Sequence, residues 1–98
     1  MRVISKKKIV LFYSEQKDAK TALEEWYEKT ENADWVCFAH TKESFRTADY
    51  VGNGRIVFNI KGKRYRLVAL VLYKTQTVYI RFVGTHEDYE KISDIQNI

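Results

Sequence analysis

The spacing of apolar residues divides the chain into a helical first half and an alternating second half. Arg2-Val3-Ile4 reads as a short strand, and Ser5 as the N-cap of a helix over about residues 6–15. Asp18 stands where it would cap a second helix running to about residue 30. Within that helix Ala19, Ala22, Leu23, Trp26 and Tyr27 recur at i, i+3 and i+4, which makes one stripe for burial. Glu24, Glu25 and Glu28 fall on the other side. Residues 31–54 carry no clear period. Trp35 and Phe45 are the anchors expected there, with a short helical turn near 42–46 and a turn at Gly52-Asn53-Gly54.

From Arg55 onward the period changes to two. Arg55–Ile60, Tyr65–Tyr73 and Thr77–Val83 are rich in Val, Ile, Tyr and Phe and read as strands. Lys61-Gly62-Lys63 and Lys74-Thr75-Gln76 are short enough to close hairpins, so the three strands form an antiparallel meander. Alternation puts Ile56, Phe58 and Ile60 on one face, with Tyr65, Leu67, Ala69 and Val71, and with Val78, Ile80 and Phe82. The fold class expected is α+β, with two N-terminal helices packed on that face of a small antiparallel sheet. The opposite face collects Asn59, Arg64, Arg66, Tyr79 and Arg81, and is polar at one end only, because Val68, Leu70 and Leu72 continue it.

Charge sharpens this picture. Residues 55–81 hold seven of the 17 Lys and Arg and none of the 13 Asp and Glu, whereas residues 21–54 hold seven acids against three bases. A cationic field on one structural unit suits a polyanion. The plainer alternatives are a solvated basic surface, or pairing of Arg66 and Arg81 with acids of the 31–54 region. With 98 residues the chain is read as one domain, 1–98, with one modest core. No apolar run approaches the length of a membrane span, and MRVISKKK is not followed by a signal-type apolar core, so a cytoplasmic location without membrane attachment is expected. The single Cys37 excludes an internal disulfide and is read as a small core residue.

The segment Gly84-Thr85-His86-Glu87-Asp88-Tyr89 holds the candidate chemistry. Thr85 and Asp88 have the spacing of a capping box, which makes His86 the first residue of a short C-terminal helix. Free N–H groups at such a terminus suit a phosphate, and the dipole favours a neutral imidazole that can serve as a general base. Tyr89 lies one turn on, on the same side. RNA brings its own nucleophile, the 2′-OH, so cleavage needs a base, cations for the phosphorane and an acid for the leaving 5′ oxygen. His86 as base, Arg66 and Arg81 as clamp, and Tyr89 as a stacking or proton-transfer group meet that need. No Asp/Glu/His cluster has metal-ligand spacing, so no metal and no cofactor are expected. His40 receives no role.

Val57-Phe58-Asn59-Ile60, Lys63-Arg64-Tyr65-Arg66-Leu67, Tyr79-Ile80-Arg81-Phe82-Val83-Gly84-Thr85-His86 and Tyr89 resemble the HigB family of the RelE-like superfamily. The likeness extends to Met1–Lys8, the Asp18–Trp26–Tyr27 helix, Ala33-Asp34-Trp35 and Ala48-Asp49. It implies a microbial-RNase-like α+β fold and cleavage of messenger RNA during translation on the ribosome. It also implies a HigA-like helix-turn-helix antitoxin, with operator DNA bound only through the complex of the two. The family's active face then maps to Asn59, Lys63, Arg64, Arg66, Arg81, His86 and Tyr89. Some relatives carry lysines where this chain has Val57 and Asn59, which leaves charge stabilisation here to arginine and favours His86 as base. Lys6, Lys7 and Lys8 are candidates for ribosomal RNA contact, a solvated helix face being the alternative. An RNA-binding module without catalysis, an inactive relative, and a surface for an acidic protein partner are the competing functions.

Overall fold

The computed structural model describes all residues from 1 to 98. Strand β1 (Arg2–Ile4) leads into helix α1 (Lys6–Glu15), a 3-10 turn at Lys17–Ala19 and helix α2 (Lys20–Glu31). Helix α3 (Phe38–Ser44) precedes strands β2 (Asp49–Gly52), β3 (Arg55–Ile60), β4 (Tyr65–Leu72) and β5 (Thr77–Thr85). Helix α4 (His86–Glu90) and a 3-10 turn at Ile95–Asn97 complete the chain. The strands form one sheet in the order β1-β5-β4-β3-β2. The expected α+β class and the β3–β5 meander are present. The sheet is mixed, however, because β1 runs parallel to β5 while the other pairs are antiparallel.

Leu23 and Trp26 of α2 and Ile9 of α1 are buried in one cluster with Ile56, Phe58, Ile60, Leu67, Ala69, Val71, Val78 and Ile80 of the sheet. Aromatic edges fill its centre. Trp26 meets Phe58 at 5.3 Å between centroids, and Phe45 meets Phe58 at 5.2 Å, both near perpendicular. Trp35 packs on Phe45 at 6.0 Å, so both anchors expected in the unperiodic region reach the core or its margin.

Four local expectations are corrected. Ser5 has φ 77 and makes no side-chain cap, since capping needs an extended backbone; its carbonyl accepts from Lys8 N–H instead. Asp18 does not cap α2 either, because its carboxylate is drawn to donors on the β3–β4 turn. The helix of the middle region spans Phe38–Ser44, displaced from 42–46. His40 Nδ1 accepts from Val36 N–H at its start, and buried Thr41 bonds the Tyr73 hydroxyl at 2.8 Å. Cys37 is exposed at the N-cap of α3 and is not a core residue.

A fifth correction concerns β5. Its pairing with β4 passes from Ala69↔Ile80 to Val68↔Phe82, skipping Arg81. Such a bulge reverses which face the following side chains meet. Phe82 therefore leaves the core, and Val83 packs against the core cluster in its place. Phe82 joins Val57 and Val68, both buried, on the face away from the helices. The strand also continues to Thr85, which pairs with Tyr65.

Candidate nucleic-acid interface

On that outer face Asn59 pairs with Arg66, and Arg66 with Gly84, so the three form one row across β3, β4 and β5. Antiparallel register sets this row, because paired residues share a face. Arg66 Nη1 donates to the Lys63 carbonyl at 2.9 Å, which turns the guanidinium back over the sheet. Its carbon lies 5.7 Å from the centroid of the Tyr89 ring. Asn59, Lys63, Arg66 and Tyr89 line a cleft of about 290 Å³. The other walls are Lys42, Thr47, Asp49 and Val57. Three cations thus face one carboxylate across a space suited to a phosphate and its neighbouring base.

The end of this row on β5 is open to the Phe82 ring because residue 84 is glycine. A Cβ there would meet the Phe82 ring at 2.5 Å. Glycine lets the Phe82 ring lie flush beside Arg66's row.

Burial raises the Tyr89 phenol above its ordinary range, with Asp49 and Glu90 adding to the shift and Arg66 opposing it. Tyr89 therefore remains a phenol at neutral pH, a hydrogen-bond donor and a stacking surface.

The remaining candidates stand outside the cleft lining. Arg81 is exposed at the bulge. His86 begins α4 as expected, with Asp88 N–H donating to Thr85 Oγ1 at 3.0 Å. Its Nε2 is 3.1 Å from Glu90 Oε1. The expected row of free N–H groups at this terminus is largely spent. The His86 N–H donates to the Arg64 carbonyl and the Asp88 N–H to Thr85, so two of the first three are engaged. Arg64 precedes β4 in the turn, and its Nε lies 3.4 Å from Asp18 Oδ2, so its charge is shared with that carboxylate. Lys6 reaches over the Tyr27 ring at 4.4 Å, in a groove between α1 and α2 that also holds Glu24, Glu28 and Glu31. Lys7 and Lys8 are exposed on α1. That groove shares no residue with the cleft.

Neither Arg66 nor Arg81 forms an ion pair; the three pairs present are Lys61–Asp18, Arg64–Asp18 and His86–Glu90. Lys42, Thr47, Asp49 and Val57 were not singled out for the site from the sequence. The first three lie in the unperiodic stretch, and of them only Asp49 carries a signal, through the resemblance at Ala48-Asp49. Val57 is apolar within a strand and reads as packing. No group of three or more His, Cys, Asp or Glu side chains could hold a metal ion, and no helix is long and apolar enough to cross a membrane.

Residues 19–92 match the HigB toxin family, described as the RelE-like toxic component of a toxin–antitoxin system. The mRNA interferase toxin HigB of Escherichia coli (strain K12) is 47% identical over 34 residues, which is 35% of this chain and 33% of that protein. The mRNA interferase HigB proteins of Escherichia coli O157:H7 and Shigella flexneri match to the same extent. The similarity thus spans about a third of the length of these relatives. The family match, in contrast, runs from the start of α2 past α4 and takes in every residue of the cleft. By that match the chain belongs to the HigB toxin family, RelE-like toxic components of toxin–antitoxin systems.

Proposed function

We propose that this chain is an mRNA interferase, an endoribonuclease toxin that cuts messenger RNA on the translating ribosome. The observation that carries the reading is the Arg66–Tyr89 contact inside a cleft with Lys63 and Asn59. A fixed guanidinium beside a stackable ring matches a phosphate and its adjacent base. The names of the similar E. coli and Shigella proteins agree with it.

In the reaction the 2′-OH loses its proton and its oxygen attacks the adjacent phosphorus. The bond to the 5′ oxygen breaks, and that oxygen takes up a proton. Arg66, with Arg81 from the bulge, balances the charge gathering on the phosphorane. Lys63, Asn59 and, at the rim, Arg64 hold the RNA backbone. Tyr89 stacks on a base or donates its phenolic proton to the leaving oxygen. His86 serves as base; with Nε2 turned to Glu90, Nδ1 is the nitrogen open to a substrate proton. Fixed cations suit this cleft better than a divalent metal, because Lys42, Lys63 and Arg66 oppose the single carboxylate of Asp49.

The partners that follow are the ribosome with its mRNA and a HigA-like helix-turn-helix antitoxin, operator DNA being reached only through the antitoxin complex. Lys7 and Lys8, exposed on α1, are offered to ribosomal RNA; Lys6 is already seated on Tyr27.

A second reading, RNA binding without cleavage, draws on one observation. His86 stands outside the cleft lining and already holds Glu90. One experiment separates the two. The chain is induced in a growing bacterium, and mRNA 5′ ends are mapped with and without the gene beside it. Growth arrest with new cuts inside translated mRNA, relieved by the neighbouring gene, is the expected result. RNA retention without arrest or cuts assigns the binding role, and neither effect overturns both.

A further inference from the structure

The turn between β3 and β4, residues 61–64, holds two candidate site residues through its backbone. The Lys63 carbonyl accepts from Arg66 Nη1 at 2.9 Å, and the Arg64 carbonyl accepts from the His86 N–H at 3.3 Å. One bond aims the guanidinium; the other fixes the start of α4, and so the place of His86 and Tyr89. Lys61 and Gly62 have φ of 53 and 66, and a single backbone bond, from the Arg64 N–H to the Lys61 carbonyl at 3.2 Å, closes the turn from within.

A second hold on the turn comes from one residue distant in the sequence. Asp18, in the 3-10 turn between α1 and α2, reaches the β3–β4 turn with both carboxylate oxygens. Oδ1 accepts from the Tyr65 hydroxyl at 2.6 Å. Oδ2 lies 3.2 Å from Lys61 Nζ and 3.4 Å from Arg64 Nε. Tyr65 is itself buried and meets the Phe12 ring edge-on at 5.3 Å, so the phenol is a post rooted in β4 and braced by α1. The hydrogen bond from Tyr65, followed by the two cations, lowers the Asp18 carboxyl below its ordinary range.

We propose that Asp18 is a positioning residue for the reaction, clamping the β3–β4 turn so that its carbonyls hold Arg66 and His86 in register, and masking Lys61 and Arg64. This inference rests on the RNA-cleaving reading given above. It assigns two consequences to one carboxylate. The first is geometric, since a misplacement of about 1 Å at a reacting group costs on the order of a hundredfold in rate. The second is electrostatic. Asp18 shares the charge of Lys61 and Arg64, so Arg64 at the rim and Lys61 beside it meet the RNA backbone with less than their full charge. Removing its charge should therefore slow cleavage while leaving RNA binding undiminished or tighter. A residue serving only to hold the fold together gives no such split.

The test is Asp18→Asn, which keeps an acceptor for the Tyr65 hydroxyl and loses the charge. Three quantities are read against wild type: exchange of the His86 amide hydrogen, the single-turnover cleavage rate of a ribosome-bound message, and the affinity for a single-stranded RNA at several salt concentrations. Faster His86 exchange and a cleavage rate about tenfold or more lower are expected. RNA affinity should be equal or higher, with a salt slope steeper by about 0.7 for each cation released. Asp18→Glu should restore part of the rate. Wild-type cleavage with unchanged His86 exchange in Asp18→Asn would overturn the proposal. So would a parallel loss of binding, cleavage and thermal midpoint, which marks a merely structural role.

Should Asp18→Asn fail to fold, Tyr65→Phe removes the 2.6 Å bond to Asp18, with the longer one to Gln16 at 3.4 Å, and keeps the ion pairs. A smaller change in the same direction then supports the clamp, and none overturns it. A wild-type chain that binds RNA but never cuts sinks the nuclease reading instead, while His86 exchange still reports on the clamp.

Discussion

The guanidinium of Arg66 lies over the ring of Tyr89, 5.7 Å from its centroid, although the two residues come from β4 and α4. The contact gives the cleft a cation whose direction is set twice, by the ring and by the Lys63 carbonyl. Arg66→Ala should lower cleavage by about a hundredfold or more, the cost of losing a preorganised group that meets developing charge. Arg66→Lys should not restore it, because a lysine offers neither the planar stack nor the fork. Single-turnover rates for Arg66→Ala, Tyr89→Ala and the double variant measure the coupling. Strictly additive effects would mean that the stack does not matter to the reaction.

His86 and Glu90 are expected to act together, Glu90 by holding Nε2 of the base. His86→Ala should reduce cleavage by about 10²–10⁴-fold and relieve growth arrest, the range for a lost general base. Glu90→Gln removes the carboxylate 3.1 Å from Nε2 and should lower toxicity less than His86→Ala does, because Nδ1 keeps its orientation but becomes a weaker base. Full toxicity of His86→Ala would remove His86 from the proton chemistry and leave Tyr89 as its candidate, the arginines supplying charge alone.

Alkaline pH should weaken the fold. Burial raises Tyr73 and Tyr89, and the bond to Asp18 raises Tyr65, each above the ordinary 10.0. The folded chain keeps these phenols protonated where the unfolded chain gives up their protons. Their contribution is whole below pH 10.0 and is lost as pH rises through the higher folded values. Denaturant midpoints measured into the alkaline range should fall there, and fall less in Tyr65→Phe. A level midpoint would contradict the shifts.

Gly84→Ala tests the outer face. The new methyl would strike the Phe82 ring at 2.5 Å, and Phe82 must swing away from the row that carries Arg66. A loss of about 1–3 kcal/mol in unfolding free energy is expected, with weaker RNA binding. An unaltered melting curve would mean that the ring moves without resistance.

Cys37 should react with a thiol reagent in the native state, since it is exposed at the start of α3. Stoichiometric modification without loss of helical circular dichroism is the expected outcome. Protection until the chain is unfolded would contradict its exposure.

Much of this architecture could be read from periodicity. Leu23 and Trp26 carried the helical stripe, and Ile56, Phe58, Leu67, Ala69, Val78 and Ile80 the strand alternation; all are buried. Burial of one face imposes these periods on any chain that folds this way. Phe82 was misassigned because a bulge is a pairing event between two strands, and no local composition announces it. Asp18 was misread for a similar reason. An aspartate before a helix satisfies a capping rule, but three donors 43 or more residues away compete for it and win.

The candidate site divides in the same way. Sequence by itself determined that residues 55–81 are cationic, that alternation brings Asn59 and Arg66 to one face, and that Thr85 starts a helix with His86. Those are properties of neighbours along the chain, where the physics is local. Only the tertiary structure decided that Tyr89 meets Arg66, that Lys42 and Asp49 close the cleft, that Arg64 is held by Asp18, and that the N–H of His86 is spent on a carbonyl. Each of those joins segments far apart in the chain, and their meeting follows from sheet register and turn geometry rather than from residue type.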